Sequence, residues 1–135
     1  MYRNSRKSRW NDGSTVVEAA LTLSAFMLLF FGIIEFGYAL WQWNTMMLAV
    51  QQAGRWAMIN NTNTSITTNA EAQMQAVLPS AAVCTMPTAG QICVKATTTG
   101  VNPQTMTLTA AYNFNLVSPL IPSFTMTSQT VVPLD

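Results

Sequence analysis

Residues 13–41 read GSTVVEAALTLSAFMLLFFGIIEFGYALW, and this stretch decides the fold. Between Glu18 and Glu35 lie sixteen uncharged residues, Ala19 to Ile34, rich in Leu, Phe, Met and Ile. Apolar character resumes from Phe36 to Trp41. At about 1.5 Å per helical residue, the run from Val16 to Trp41 is long enough to cross roughly 30 Å of hydrocarbon. Tyr38, Trp41 and Trp43 gather at its far end, as aromatic side chains do at a membrane–water interface. A cleavable secretory signal is the competing reading. Such a signal has an apolar region of about 7–15 residues and ends in a small-residue cleavage site. This run is longer and passes into Tyr and Trp.

The flank before the run is basic. Arg3, Arg6, Lys7 and Arg9 supply four of the six basic residues of the 135-residue chain. Lys and Arg beside a membrane segment mark its cytoplasmic side. A nucleic-acid partner is not expected, because the long apolar run follows the basic tail at once. Past Gly13 only Arg55 and Lys95 stand against Glu18, Glu35, Glu71 and Asp135. Charged residues make up 8% of the chain and hydrophobic ones 50%. Soluble globular proteins carry about 25% charged residues, so the shortfall also points to membrane contact.

Beyond the run, Trp43, Met47, Val50, Gly54 and Ala57 recur at three- and four-residue spacing, with Gln42, Gln51, Gln52 and Arg55 between them. No proline precedes Pro79. The pattern predicts one helix from about Thr15 to Ile59, ending in an amphipathic extension outside the membrane. The polar stretch Asn60 to Thr68 ends it, and Ala, Glu, Gln and Met content favours a short second helix over about 69–78. Strands follow. Ile92, Val94 and Ala96 alternate with Cys93, Lys95 and Thr97. Met106, Leu108, Ala110, Tyr112 and Phe114 alternate strictly with polar or small residues, which is a half-buried strand. Gly100-Val101-Asn102-Pro103 between them predicts an antiparallel hairpin. After a bend at Pro119 and Pro122, Phe124 to Val132 supplies a third strand.

The expected fold class is α+β: a long N-terminal transmembrane and amphipathic helix followed by a small antiparallel β-sheet outer domain. The expected divisions are a leader over 1–13, the helix over 14–60 with its membrane segment at about 16–41, and an outer domain over 61–135.

Cys84 and Cys93 are the two cysteines, and no histidine is present. On the outer, oxidising side of a membrane they read as a disulfide closing a small loop that contains Pro87 and Gly90. Two unpaired buried thiols are the alternative. Histidine-based catalysis and histidine metal sites are excluded, and two cysteines do not make a structural zinc site alone. The mature chain's carboxylates are scattered, with no nucleophile–base or paired-acid constellation, so no enzymatic activity, metal or cofactor is expected.

Gly13-Ser14-Thr15-Val16-Val17-Glu18 carries the functional signal. Counted from Ser14, a carboxylate stands at position five of an apolar helix, after a glycine and a short basic leader. This resembles the type IV prepilin class. Gly32-Ile33-Ile34-Glu35-Phe36-Gly37-Tyr38 and Ala53-Gly54-Arg55-Trp56-Ala57 resemble segments of TadE-like minor pseudopilins of the Tad (Flp) pilus system, with pilin-like architecture. One departure is Glu18-Ala19, where such proteins commonly have Glu-Phe.

The resemblance implies cleavage after Gly13 by a prepilin peptidase on the cytoplasmic side. It implies that Glu18 meets the new amine of Ser14 on a neighbouring subunit. It also implies other Tad pilins or pseudopilins and the inner-membrane assembly platform as partners, with Glu35 a further assembly residue. The bland reading of Glu18 is a tolerated interfacial carboxylate; that of Glu35 is a surface anchor. Arg55 is either solvated or tied to the outer domain or Asp135. The implied location is the inner membrane, single pass, with the C-terminal domain outside the cytoplasm and incorporation into a pilus possible. Residence in the inner membrane as a tethered assembly factor with a binding module is the alternative.

Overall fold

A computed structural model describes residues 10–101, 104–115 and 123–134. The basic leader before Trp10, the turn residues 102–103, the Pro119–Pro122 bend and Asp135 lie outside these residues. Six elements follow in order: α1 (Trp10–Ile59), α2 (Ile66–Val77), β1 (Ala81–Val83), β2 (Ile92–Thr99), β3 (Thr105–Phe114) and β4 (Phe124–Pro133). The chain forms two compact units, one up to Gly37 and one from Tyr38 onward.

In the first unit, α1 is helical on sequence grounds, being rich in Ala, Leu, Met and Phe and free of proline. Its polar side chains turn back on the backbone. Thr22 Oγ1 donates to the carbonyls of Glu18 and Ala19 at 3.0 Å each, and Ser24 Oγ donates to Leu21 at 2.9 Å. In hydrocarbon, where no water is available, such internal satisfaction is what keeps a hydroxyl tolerable. Val16, Leu21, Leu23, Phe26, Leu28, Leu29, Phe31 and Ile33 are all exposed. A contiguous apolar surface of that extent demands a partner phase. The helix is long and apolar enough to cross a membrane, with a mean hydropathy of 2.1 over its best window.

The second unit is a two-layer α+β arrangement, with helices on one face of a sheet. Its sheet has strand order β1-β2-β3-β4. β2–β3 and β3–β4 are antiparallel, with Val94 opposite Ala110 and Ala110 opposite Ser128. The period-two pattern of β3 is reproduced residue for residue: Met106, Leu108, Ala110, Tyr112 and Phe114 are buried and the alternate residues half-buried. These pack with Met46, Ala49, Val50, Ala53 and Ala57 of α1, and with Ile66, Ala70 and Met74 of α2. Fully burying one such Met, Leu or Val side chain is worth about 1.5–3 kcal/mol.

The α1 face toward the sheet is made of small residues. A Cβ on Gly54 would stand 3.2 Å from Val132 Cγ1, 3.4 Å from Thr130 Cγ2 and 3.5 Å from Leu108 Cδ1. Glycine is therefore required there by close approach rather than by backbone angle. Asn60 closes the end of α1, its side-chain amide donating to Trp56 O at 2.9 Å.

Several details differ from the sequence expectation. The sheet is mixed: a three-residue strand, β1, runs parallel to β2, with Ala82 opposite Cys93. α2 begins at Ile66 rather than near Asn69, because Ile66 starts the buried row Ile66, Ala70, Met74. The apolar stripe of α1 is rotated. Trp43 and Met47 are exposed, whereas Gln42 and Met46 are buried. The closeness of the sheet at Ala53 and Gly54 selects the narrow face, and the bulky Trp43 is left outside. Finally, α1 starts at Trp10 rather than near Thr15, so Gly13 lies within its first turn.

Candidate functional site

The site begins at the amino end of α1. Gly13, Ser14 and Glu18 are all exposed. Ser14 and Glu18 are four residues apart and so lie one above the other on one face. The Gly13–Ser14 bond follows directly on the four opening N–H groups of α1 that lack intrahelical acceptors, so it lies at the end of the helix that frays at least cost. Nothing lies within 4 Å of a Cβ built on Gly13. Packing therefore does not call for glycine at this position, and a glycine inside a helix costs about 1 kcal/mol relative to Ala.

Glu18 and Glu35 bracket the apolar run. Seventeen helical steps separate them, about 26 Å, close to the roughly 30 Å of a hydrocarbon core. The spacing is that of two carboxylates at opposite ends of a run long enough to cross a membrane. Glu35 is half-buried and Glu18 exposed. Around Glu35, Gly32 and Gly37 leave a shallow notch on the helix surface, lined with Leu28, Leu29, Ile33 and Phe36.

Residues 13–55 match the family model of TadE-like proteins. Over these residues the chain is similar to TadE-like proteins. The match starts at Gly13, the residue before the position-five glutamate count, and covers both carboxylates. No curated protein and no solved structure matches the chain significantly.

Past the TadE-like segment, Cys84 and Cys93 form a disulfide, with Cα atoms 5.2 Å apart. Cys93 points to the sheet face opposite Ile92 and Val94, so the bond ties the chain after β1 to β2 from outside the helix layer. Within the loop they close, Gly90 adopts φ +75° and donates its N–H to Asn113 O at 2.9 Å. That left-handed conformation turns the chain into β2 and favours glycine. Arg55 is exposed beside Gln51, Met58, Thr130 and Val132 in a shallow groove. Its alternative contact, Asp135, lies outside the described residues.

Two features had no signal in the sequence. Glu71 on α2 accepts the Ala96 N–H at 3.0 Å. β1 pairs only as far as Val94, so the β2 edge is left open at Ala96 and the carboxylate takes the missing strand's place. The second feature is an aromatic cluster. Tyr38 lies 5.9 Å from both Trp41 and Phe114 between ring centroids; Phe114 lies 5.8 Å from Tyr112 and 5.5 Å from Phe124. Burial raises the Tyr112 phenol above its ordinary pKa, helped by the neighbouring Tyr38 oxygen and a hydrogen bond to it. Only the helical members of this cluster are marked by position in the sequence; Phe114 and Phe124 read there as ordinary strand residues.

Proposed function

We propose that this chain is a minor pseudopilin of a Tad (Flp) pilus: a structural subunit held in the inner membrane by α1 with its amino end in the cytoplasm, cut after Gly13 by a prepilin peptidase, and incorporated or used in priming through that helix. The observation that carries the reading is the glycine at 13. The fold gives it no packing role, yet it directly precedes Ser14, from which Glu18 counts as the fifth residue, and the TadE-like match begins on it. A peptidase that binds its substrate extended gains from a residue without a Cβ at the scissile bond.

Processing leaves the amine of Ser14 at the head of an apolar helix. Burying Glu18 alone at the membrane centre costs about 2.5–3.5 kcal/mol on insertion scales. A paired charge loses less on burial, so contact between Glu18 and the Ser14 amine of a neighbouring subunit would set axial register. Mass spectrometry of the protein from cells containing the peptidase is the test. The expected mature chain starts at Ser14, and Gly13→Ala accumulates the uncut form. A mature start elsewhere, or full-length protein alone, refutes the processing step. Recovery in sheared pili supports incorporation. Recovery in membranes alone favours an inner-membrane assembly factor whose outer unit is a binding module.

A further inference from the structure

The aromatic cluster gathers residues that are far apart in sequence at one end of the sheet, and its position along α1 can be worked out. Gly54 faces Thr130, Val132 and Leu108, whereas Tyr38 meets Phe114, which is paired with Phe124. β3 therefore runs toward the Tyr38 end of the outer unit and β4 runs away from it. Gly54 lies sixteen helical residues beyond Tyr38, about 24 Å. The step from Leu108 to Phe114 covers about 20 Å of strand, which agrees.

Tyr38 is itself tied to the membrane by chain connectivity. It follows the apolar run directly and lies twenty residues after Glu18, about 30 Å, one hydrocarbon thickness. Tyr38, Trp41 and Phe124 are 48%, 61% and 42% exposed, while Phe114 is buried beneath them. Aromatic rings with an apolar body and, in Tyr and Trp, a polar edge are the side chains that settle among lipid headgroups.

We infer that the ring cluster is a second membrane contact: Phe124, with Tyr38 and Trp41, rests in the headgroup layer of phospholipid on the outer side. The occupant is lipid because Tyr38, a member of the cluster, follows the apolar run without a break in the chain. The inference rests on α1 crossing the membrane, and the experiment separates the two.

Both cysteines are paired, so a single added cysteine can be labelled with a nitroxide in the full chain, reconstituted in phosphatidylethanolamine–phosphatidylglycerol vesicles. Labels are placed at Ile33→Cys in the apolar run, Phe124→Cys and Thr125→Cys at the cluster, and Val131→Cys at the far end of β4. Collision with oxygen and with a water-soluble nickel chelate is measured at each. The expected oxygen-to-nickel ratio is highest at 33, intermediate at 124 and 125, and several-fold lower at 131. Thr125 leaves the ring cluster intact, so its result stands if Phe124→Cys disturbs packing. A ratio at 124 and 125 equal to that at 131, with 33 still lipid-like, overturns the inference and leaves the anchor standing. Shielding of 124 and 125 from both reagents means a protein occupant and also overturns it. A water-like ratio at 33 refutes the anchor itself.

Discussion

Replacing Gly54 tests how closely α1 lies on the sheet. An alanine places its Cβ 3.2 Å from Val132 Cγ1, a few tenths of an ångström too close, against a methyl that can move. The helix gains about 1 kcal/mol from losing the glycine. The two effects are of similar size, so Gly54→Ala is expected to change stability by less than about 1 kcal/mol. Leucine is different. Its further carbons press on Val132, Thr130 and Leu108, and lifting the helix also parts Val50, Ala53 and Ala57 from the core.

Overpacking costs about 1–3 kcal/mol, and the upper end applies here. For a unit of this size that lowers the melting temperature by on the order of 10–20 °C. Thermal melts of the full chain in detergent, followed by near-UV circular dichroism, read the change. Val132→Ala removes the nearest methyl, so the double variant should recover about 1 kcal/mol relative to the sum of the single changes. A leucine tolerated as well as alanine, or no recovery in the double variant, would refute the close approach.

Serine at both Cys84 and Cys93 opens a loop of nine-residue separation, and chain-entropy reasoning puts the loss at about 2.5 kcal/mol; an unchanged urea midpoint would count against a structural disulfide. Glu71→Ala leaves the Ala96 N–H without its acceptor and should cost about 1–3 kcal/mol, whereas Glu71→Gln keeps an acceptor oxygen and most of the stability. Equal losses would mean that charge rather than edge capping is at work. The raised Tyr112 pKa makes folding favour the neutral phenol. Its contribution is whole below the ordinary tyrosine pKa near 10 and is lost as pH rises through the folded value. Stability should therefore fall more steeply above about pH 10 in the native chain than in Tyr112→Phe, and parallel curves would dismiss the effect. Glu18→Ala should leave the melt unchanged, since the side chain is exposed, while reducing assembly into pili; normal assembly supports the bland interfacial reading.

The sequence made legible whatever repeats. Strict alternation identified β3 and its inward face, and the apolar run identified a helix long and apolar enough to cross a membrane. The cysteine spacing, with a turn inside it, foretold the disulfide. What it hid is not periodic. β1 has three residues, Ala81 to Val83, too few to show alternation, and it exists because β2 offers it an edge. The rotation of the α1 stripe follows from a distance of approach, which bulk hydrophobicity does not encode; Trp43 looked like a core residue because it is apolar. Glu71 is one carboxylate on an ordinary short helix until β2 is seen to lack a partner at Ala96.

The burial of one α1 face has a practical corollary for anyone wishing to make the outer unit soluble. A fragment beginning after Ile59, at the natural-looking end of the helix, would omit Met46, Ala49, Val50, Ala53 and Ala57, and bare the apolar face of a four-stranded sheet to water. Such a fragment is set to aggregate. The workable boundary lies more than twenty residues earlier, at Tyr38, where the second unit starts. A cut there removes the apolar run and keeps the helix that the sheet folds upon.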